Sequence, residues 1–157
     1  MSDPHADRPH MPGYGVPPEP EGMLPWAWAR ERLERTRNYW IGTVGSDGSP
    51  HSMPVWGVWL DEALHFSTGV ESKKARNLRR NPHCAVTTES ADEAVIVEGT
   101  ASPMSLDLQE RVLSAYATKY DWAGDPGGWF TVTPRKAFGF IENESQFASA
   151  ATRWSWD

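Results

Sequence analysis

Apolar and polar residues follow two different periods along the chain, and each period predicts its own kind of element. In residues 24–37, Trp26, Ala29 and Leu33 recur at helical spacing while charged residues fill the positions between them, which predicts an amphipathic helix. A second helix with one apolar side is predicted to begin after the cap Ser105 and to run to about Tyr120. Both helices should pack one face against a core.

The other periodic segments are short, rich in β-branched and aromatic residues and bounded by turn residues, which predicts strands. They cover residues 39–44, 51–60, 64–68, 83–89, 93–101, 129–133 and 136–142. Asp47-Gly48 predicts a hairpin between the first two. Pro54 lacks an N–H, so the second strand should lie at an edge or contain a bulge, where backbone groups are free to bind a ligand. Mostly antiparallel strands with helices outside them indicate an α+β fold built on a small closed barrel.

The first residues of the chain are rich in proline, glycine and charge and show no periodicity. We therefore expect a flexible N-terminal arm at residues 1–22 and a single domain at residues 23–157. No run approaches the roughly 18 apolar residues that a membrane helix needs, and no apolar signal segment is present. Cys84 is the one cysteine, which excludes an intramolecular disulfide and fits a reducing cytosol. We expect a cytoplasmic protein with no membrane partner.

Charge changes this picture at one place. The net charge is −6 and the pI is about 5.3, which argues against nucleic acid as the main partner. Yet five of the eight residues from Lys73 to Arg80 are basic and none is acidic. Ser72 is a predicted helix cap, and Lys73 and Lys74 fill the first helical positions, where cations oppose the helix dipole unless an anion is bound there. A bound anion and a merely solvated helix face both remain open at this point.

Catalytic and metal-binding motifs are absent from the sequence. It contains no Gly-x-Ser-x-Gly elbow, no phosphate-binding loop and no dinucleotide fingerprint, and its histidines lack metal-ligand spacing, so no metal is expected. His65 and Ser67 share a predicted strand face, but we do not expect a catalytic dyad from such a pair. If the chain is an enzyme, a bound cofactor must carry the reaction.

Residues 39–89 resemble the split-barrel flavin-binding family related to pyridoxamine 5′-phosphate oxidase, and within it the actinobacterial flavin/deazaflavin oxidoreductase branch. The similar segments are residues 45–51, 53–59, 66–68 and 72–78, and the ending 151–154 is similar to endings in that branch. The resemblance implies an α+β fold with a six- to seven-stranded antiparallel split β-barrel and flanking helices. It also implies a homodimer with a cofactor at each subunit interface.

The resemblance implies cofactor contacts at two stretches and no catalytic side chain. It assigns the isoalloxazine ring to the second strand, through Met53, Pro54, Val55 and Trp56. It assigns the ribityl phosphate to the end of the third strand and the helix that follows, through Ser67, Thr68, Ser72, Lys73, Lys74 and Asn77.

The cofactor is expected to be the deazaflavin F420, with FMN as the alternative. Arg76, Arg79 and Arg80 would suit the oligoglutamate tail of F420, although a solvated helix face explains the same arginines. The expected activity is hydride transfer from reduced F420 to an electron-poor small molecule such as an enone or a quinone. The alternatives are an FMN-dependent oxidase or flavin reductase, and a non-enzymatic carrier of a cofactor or haem.

The C-terminal segment departs from the true pyridoxamine phosphate oxidases. The arginine-histidine ending that grips their substrate is not evident around Arg153, so vitamin B6 oxidation is not expected. Trp154 and Trp156 are predicted to pack at a subunit interface or in a lid rather than to contact substrate.

Overall fold

Nine strands and four α-helices make up residues 2–157, the part of the chain that this computed structural model describes. The helices are α1 (Trp26–Arg35), α2 (Lys73–Arg80), α3 (Gln109–Tyr120) and α4 (Phe147–Ala150), and a 3-10 turn (Leu106–Leu108) precedes α3. The strands are β1 (His5–Asp7), β2 (Tyr39–Val44), β3 (Pro50–Val55), β4 (Val58–Leu60), β5 (Ala63–Ser67), β6 (His83–Thr88), β7 (Glu93–Pro103), β8 (Trp129–Ile141) and β9 (Thr152–Ser155).

All strand pairs are antiparallel, in the order β1-β9-β8-β7-β6-β2-β3, with β5 joining β4 to β8. The long strand β8 pairs with β5 through its first residues and with β9 farther on, so the sheet divides there. This arrangement confirms the α+β split-barrel fold. The closed barrel was a wrong expectation, because within residues 2–157 β3 pairs only with β2 and β4 only with β5. The sheet therefore stays open between these two strands.

Two strand predictions differ from the structure for local reasons. Residues 51–60 form two strands, because the chain turns a corner at Trp56-Gly57. Residues 129–142 form one strand instead of two, because Pro134 lies beside a β-bulge at which the register of β7 and β8 shifts. A bulge accommodates a residue that cannot donate a ladder hydrogen bond. The strands β1 and β9 at the chain ends were not predicted.

The main core lies between the curved sheet and the helices α1 and α2, and a second, smaller cluster lies under α3. The predicted stripe Trp26, Ala29 and Leu33 is buried as expected. Trp154 is fully buried, so placing it at an interface or in a lid was wrong. Its indole fits because Gly139 carries no side chain: a Cβ there would lie 2.6 Å from Trp154 Cη2.

The N-terminal residues lie against the body of the domain. Strand β1 pairs with β9, and the Arg8 guanidinium donates hydrogen bonds to four backbone carbonyls, those of Glu19, Glu21, Ser149 and Ala151. The guanidinium thus joins the arm to α4 and to Ala151, which lies between α4 and β9. Among residues 2–157, no helix is both long and apolar enough to cross a membrane.

Candidate functional site

A basic cavity of about 330 Å³ lies between α2 and the turn that joins β2 to β3. Its lining residues are Gly45, Ser46, Asp47, Ser49, Lys73, Arg76, Asn77 and Arg80. Three cationic side chains therefore face one carboxylate. Such a concentration of positive charge beside a helix N-terminus favours an anionic ligand.

The start of α2 has the predicted cap. Ser72 Oγ accepts a hydrogen bond from the Ala75 N–H at 3.2 Å, and the Thr68 hydroxyl lies 3.0 Å from the same oxygen. The Thr68 N–H donates a hydrogen bond to the Gly128 carbonyl. The two backbones are so close that a Cβ at Gly128 would clash with the Thr68 carbonyl oxygen. Ser72 and Thr68 thus fix where the helix begins, and Lys73 follows at the rim of the cavity.

Asn77 is buried and holds its neighbours in place. Its Nδ2 donates to Thr43 Oγ1 at 3.0 Å, which ties α2 to β2. Its Oδ1 accepts a hydrogen bond of 3.1 Å from Arg80 Nη2, which orients that guanidinium. The two bonds use both ends of the amide. Asn77 therefore contributes to the cavity by orienting Arg80 and by fixing the position of α2.

The turn contributes Asp47, which the sequence did not single out as a site residue. Its carboxylate accepts hydrogen bonds from the Ser49 hydroxyl and N–H. These bonds lower the pKa of Asp47 below its ordinary value, and the charge of Lys73 adds a smaller effect. The carboxylate is therefore ionised and held within its own turn, which leaves Lys73 available to a ligand.

Strand β3 forms one end of the sheet, as the proline within it predicted. Pro54 stands opposite Trp40 and Val55 opposite Tyr39, so all pairing of β3 is with β2. Val55 is buried, whereas Met53 remains 43% exposed. The opposite edge of the strand is free of sheet partners within residues 2–157.

The side chain of Trp56 is already stacked against the protein. Its indole lies parallel to the Tyr120 ring with 4.3 Å between centroids, and the Arg37 guanidinium lies 5.2 Å from its ring centroid. The indole is still 37% exposed. A ligand at this corner would contact the exposed part of the Trp56 indole, whose other face is stacked on Tyr120.

The last turn of α3 holds the corner between β3 and β4. The Tyr120 hydroxyl accepts from the Gly57 N–H at 2.9 Å and lies 2.6 Å from the Arg37 carbonyl oxygen. The Lys119 ammonium donates to the Gly57 carbonyl at 2.9 Å and to the Tyr39 hydroxyl at 3.0 Å. Burial, assisted by the charge of Arg37, lowers the pKa of Lys119 to about 8. Burial also raises the pKa of Tyr120 to about 12.

His65 is buried between two partners and does not form a dyad with Ser67. Its Nε2 lies 3.0 Å from the Leu60 carbonyl oxygen and its Nδ1 lies 2.9 Å from Thr131 Oγ1. Since a carbonyl only accepts, Nε2 carries the proton of the neutral ring. Burial lowers the pKa of His65, which keeps the ring neutral.

The structure brings together only part of the predicted phosphate set. Lys73 and Asn77 share the basic cavity, and Ser72 and Thr68 stand at the helix start. Ser67 and Lys74 are not among the residues that line the cavity. Arg76 and Arg80 do line it, although the sequence associated them only with a tail of the ligand.

Comparison with known proteins places this geometry in context. A family model described as pyridoxamine 5′-phosphate oxidase matches residues 27–144. A solved structure of an F420 reductase shares 24% identity, with a TM-score of 0.57 over 69% of this chain and 94% of its own.

Two further solved structures have related folds. A haem storage protein from Vibrio cholerae shares 18% identity, with a TM-score of 0.58 over 68% of this chain and 87% of its own. A FAD-binding protein from Mesorhizobium loti shares 18% identity, with a TM-score of 0.61 over 85% of this chain and 96% of its own. A search of curated proteins finds no match. At these identities, the solved structures support the fold alone.

Proposed function

Because the chain belongs to the pyridoxamine 5′-phosphate oxidase family, we propose that it is an oxidoreductase that holds a phosphate-bearing flavin-type cofactor, F420 in the first place. The observation that supports this most is the basic cavity beside the start of α2. The cofactor would supply the hydride chemistry for an electron-poor small molecule such as an enone or a quinone. No side chain of the protein is assigned to that chemistry.

The cavity fits a phosphate by charge and by donors. Lys73, Arg76 and Arg80 provide ammonium and guanidinium groups, while Asp47 is held within its own turn. Guanidinium groups bind phosphate and carboxylate oxygens through paired hydrogen bonds. Asn77 supports the site by orienting Arg80, as Ser72 and Thr68 do by fixing the helix start.

The ring of the cofactor would lie along the free edge of β3. Met53, Pro54, Val55 and Trp56 form this edge and its corner, and Met53 and Trp56 remain exposed. Trp40, which faces Pro54 across the strand pair, is also exposed. Exposed aromatic surface beside the site supports a homodimer in which a second subunit covers the ring and excludes water from it.

F420 is preferred to FMN because two arginines accompany Lys73 in the cavity. A single phosphate can be neutralised by Lys73 and one neighbour, whereas a ligand with additional carboxylates would use Arg76 and Arg80 together. FMN is the second candidate, since its one phosphate also fits the start of α2.

Titration of the purified protein with F420 and, separately, with FMN tests this proposal. Lys73→Ala should weaken binding by about 1–3 kcal/mol because a charge-assisted bond is lost. Lys74→Ala should have a smaller effect, since Lys74 does not line the cavity. Arg35→Ala, on the exposed side of α1, is the control. Equal affinity of Lys73→Ala and the wild type for both cofactors would refute the phosphate site.

Turnover separates an enzyme from a carrier. An enzyme should oxidise pre-reduced F420, or FMN, when an enone or a quinone is added, and the rate should saturate with the acceptor. A carrier would bind the cofactor with the same dependence on Lys73 and show no oxidation above the protein-free rate.

A further inference from the structure

The end of β3 is held in place by side chains of α3. Trp56 and Gly57 form the corner between β3 and β4 and belong to neither strand. Buried backbone groups need hydrogen-bond partners. In the described part of the chain, the N–H and the carbonyl of Gly57 find theirs on Tyr120 and Lys119. The strand to which we assign the ring of the cofactor therefore ends at a corner that another element fixes.

The Gly57 carbonyl depends on Lys119 for its hydrogen bond. The Tyr120 hydroxyl has a single proton to donate. Its nearest acceptor is the Arg37 carbonyl oxygen at 2.6 Å, whereas the Gly57 carbonyl oxygen lies 3.0 Å away. The Lys119 ammonium lies 2.9 Å from that Gly57 oxygen. Among residues 2–157, Lys119 is therefore the side chain that supplies this bond.

Lys119 also bonds to the strand that pairs with β3. The Tyr39 hydroxyl donates its proton to the Leu33 carbonyl, so it accepts the hydrogen bond of 3.0 Å from the Lys119 ammonium. Tyr39 stands opposite Val55, the last residue of β3. One ammonium group thus joins β2 to the corner that follows β3. It fixes the end of β3 relative to its neighbouring strand.

Keeping this ammonium group half-buried lowers the stability of the protein. Burial is the main cause of the lowered pKa of Lys119, about 8, which means that the folded chain holds this proton less tightly than the unfolded chain. Cation–π contacts with the rings of Tyr39 and Tyr120 offset only part of this effect. Groups that lower stability and have a shifted pKa are typical of functional sites. Lys119 therefore has the features of a residue retained for binding.

We propose that Lys119 is a positioning residue for the cofactor: by bonding to Gly57 and Tyr39, its ammonium group holds the end of β3 and the exposed part of Trp56 in the geometry that the ring requires. This inference rests on the proposed function, which assigns the ring to β3. It adds to that function a residue that controls affinity for the ring without having to contact it.

Loss of the proton from Lys119 weakens this support, because a neutral amine donates weaker hydrogen bonds than an ammonium group. The other charged or titratable groups that face Lys119 are Tyr120 on its own helix, Tyr39 on β2, Arg37 before β2 and Glu89 after β6. Burial raises the pKa of both tyrosines, and hydrogen bonding, chiefly from Asn38, lowers the pKa of Glu89. Of these groups, Lys119 is the one that titrates between pH 7 and pH 9. Affinity for the ring should fall over that interval.

Fluorescence titration of the full chain with FMN and riboflavin tests the proposal, because riboflavin has the ring of FMN without its phosphate. F420 and its phosphate-free deazaflavin core form a second such pair. Lys119→Met should bind both members of a pair about tenfold more weakly at pH 7. Wild-type affinity for riboflavin should fall about fivefold from pH 7 to pH 9, and that of Lys119→Met should not fall. Lys73→Ala should weaken FMN and leave riboflavin unchanged.

Lys119→Arg keeps a charged donor, so it should bind riboflavin more tightly than Lys119→Met and show no fall at pH 9. Arg111→Met removes an exposed cation from the same helix and should bind as the wild type does. If Lys119→Met bound riboflavin as tightly as the wild type while Lys73→Ala still weakened FMN, this inference would be overturned and the proposed function would stand. If the wild type bound neither FMN nor F420, both would be overturned.

Discussion

Lys119 carries its ammonium group in a half-buried position between Tyr39, Tyr120 and the corner at Gly57. Burial is the main cause of its lowered pKa, and the nearby charge of Arg37 is the second. Glu89 acts in the opposite direction but does not compensate. The corner next to β3 is therefore held by a group whose charge is lost at mildly alkaline pH.

Lys119→Met should change how stability depends on pH. In the folded protein Lys119 loses its proton near pH 8, and in the unfolded chain near 10.5. Between these values the unfolded chain binds more protons, so the contribution of Lys119 to the free energy of unfolding rises with pH. Urea unfolding at about pH 7 and about pH 9.5 should show the wild type gaining stability relative to Lys119→Met. Tyr39 and Tyr120 are present in both proteins, so their titration drops out of the difference in stability between wild type and variant. If the free energies of unfolding of the two proteins changed in parallel with pH, this account would be contradicted.

Single residues differ in how far the sequence reveals them. The cap at Ser72 was predictable because capping depends on a few neighbouring positions. The roles of Lys119 and Tyr120 were missed, because both residues contact Gly57, from which they are 62 and 63 positions away. No local sequence pattern indicates a contact over that distance. Asn77 was expected to contact a phosphate, yet its amide bonds to Thr43 and Arg80 depend on how α2 packs against β2.

The contribution of the Ser72 cap of helix α2 to stability can be measured directly. Ser72→Ala should lower the free energy of unfolding by about 1 kcal/mol, because the Ala75 N–H loses its acceptor. Ser105→Ala is the matched control: Ser105 makes no capping bond, and its hydroxyl donates to Asp107 instead. Urea unfolding of the two variants should therefore separate them. A cost at Ser105 equal to that at Ser72 would show that the hydroxyl acts in some other way.

Most helices and strands followed from their periodicity, and the exceptions have steric causes. Gly57 marks the corner that divides residues 51–60, because a Cβ there would lie 2.9 Å from Leu64 Cδ1 and 3.1 Å from the His65 carbonyl oxygen. Leu64 and His65 lie only seven and eight positions further along the chain, but they meet Gly57 because β5 folds back against β4, which periodicity does not show. The bulge at Arg135 likewise depends on Gly99, on the facing strand.

The N-terminal arm and the C-terminal segment stabilise each other through Arg8. Arg8→Met removes bonds to four carbonyls, those of Glu19, Glu21, Ser149 and Ala151, and keeps an apolar side chain of similar length. We expect proteases to cleave the arm about tenfold faster or more, since bonds from a charged donor are worth about 1.5–3 kcal/mol. Limited proteolysis followed by mass spectrometry locates the cuts.

Arg35→Met is the control for that experiment, because the Arg35 side chain bonds to Glu31 on the surface of α1 and to no other residue in the described part of the chain. Its cleavage rate should equal that of the wild type. If Arg8→Met were also cleaved at the wild-type rate, strand β1 and its pairing with β9 would suffice to hold the arm.

A free edge such as that of β3 can also pair with a strand of another polypeptide, and such pairing leads to aggregation. Pro54 works against this, because an incoming strand would find no hydrogen donor at that position. Pro54 therefore protects the free edge of β3 against self-association. Pro54→Val should leave the protein folded yet prone to precipitate.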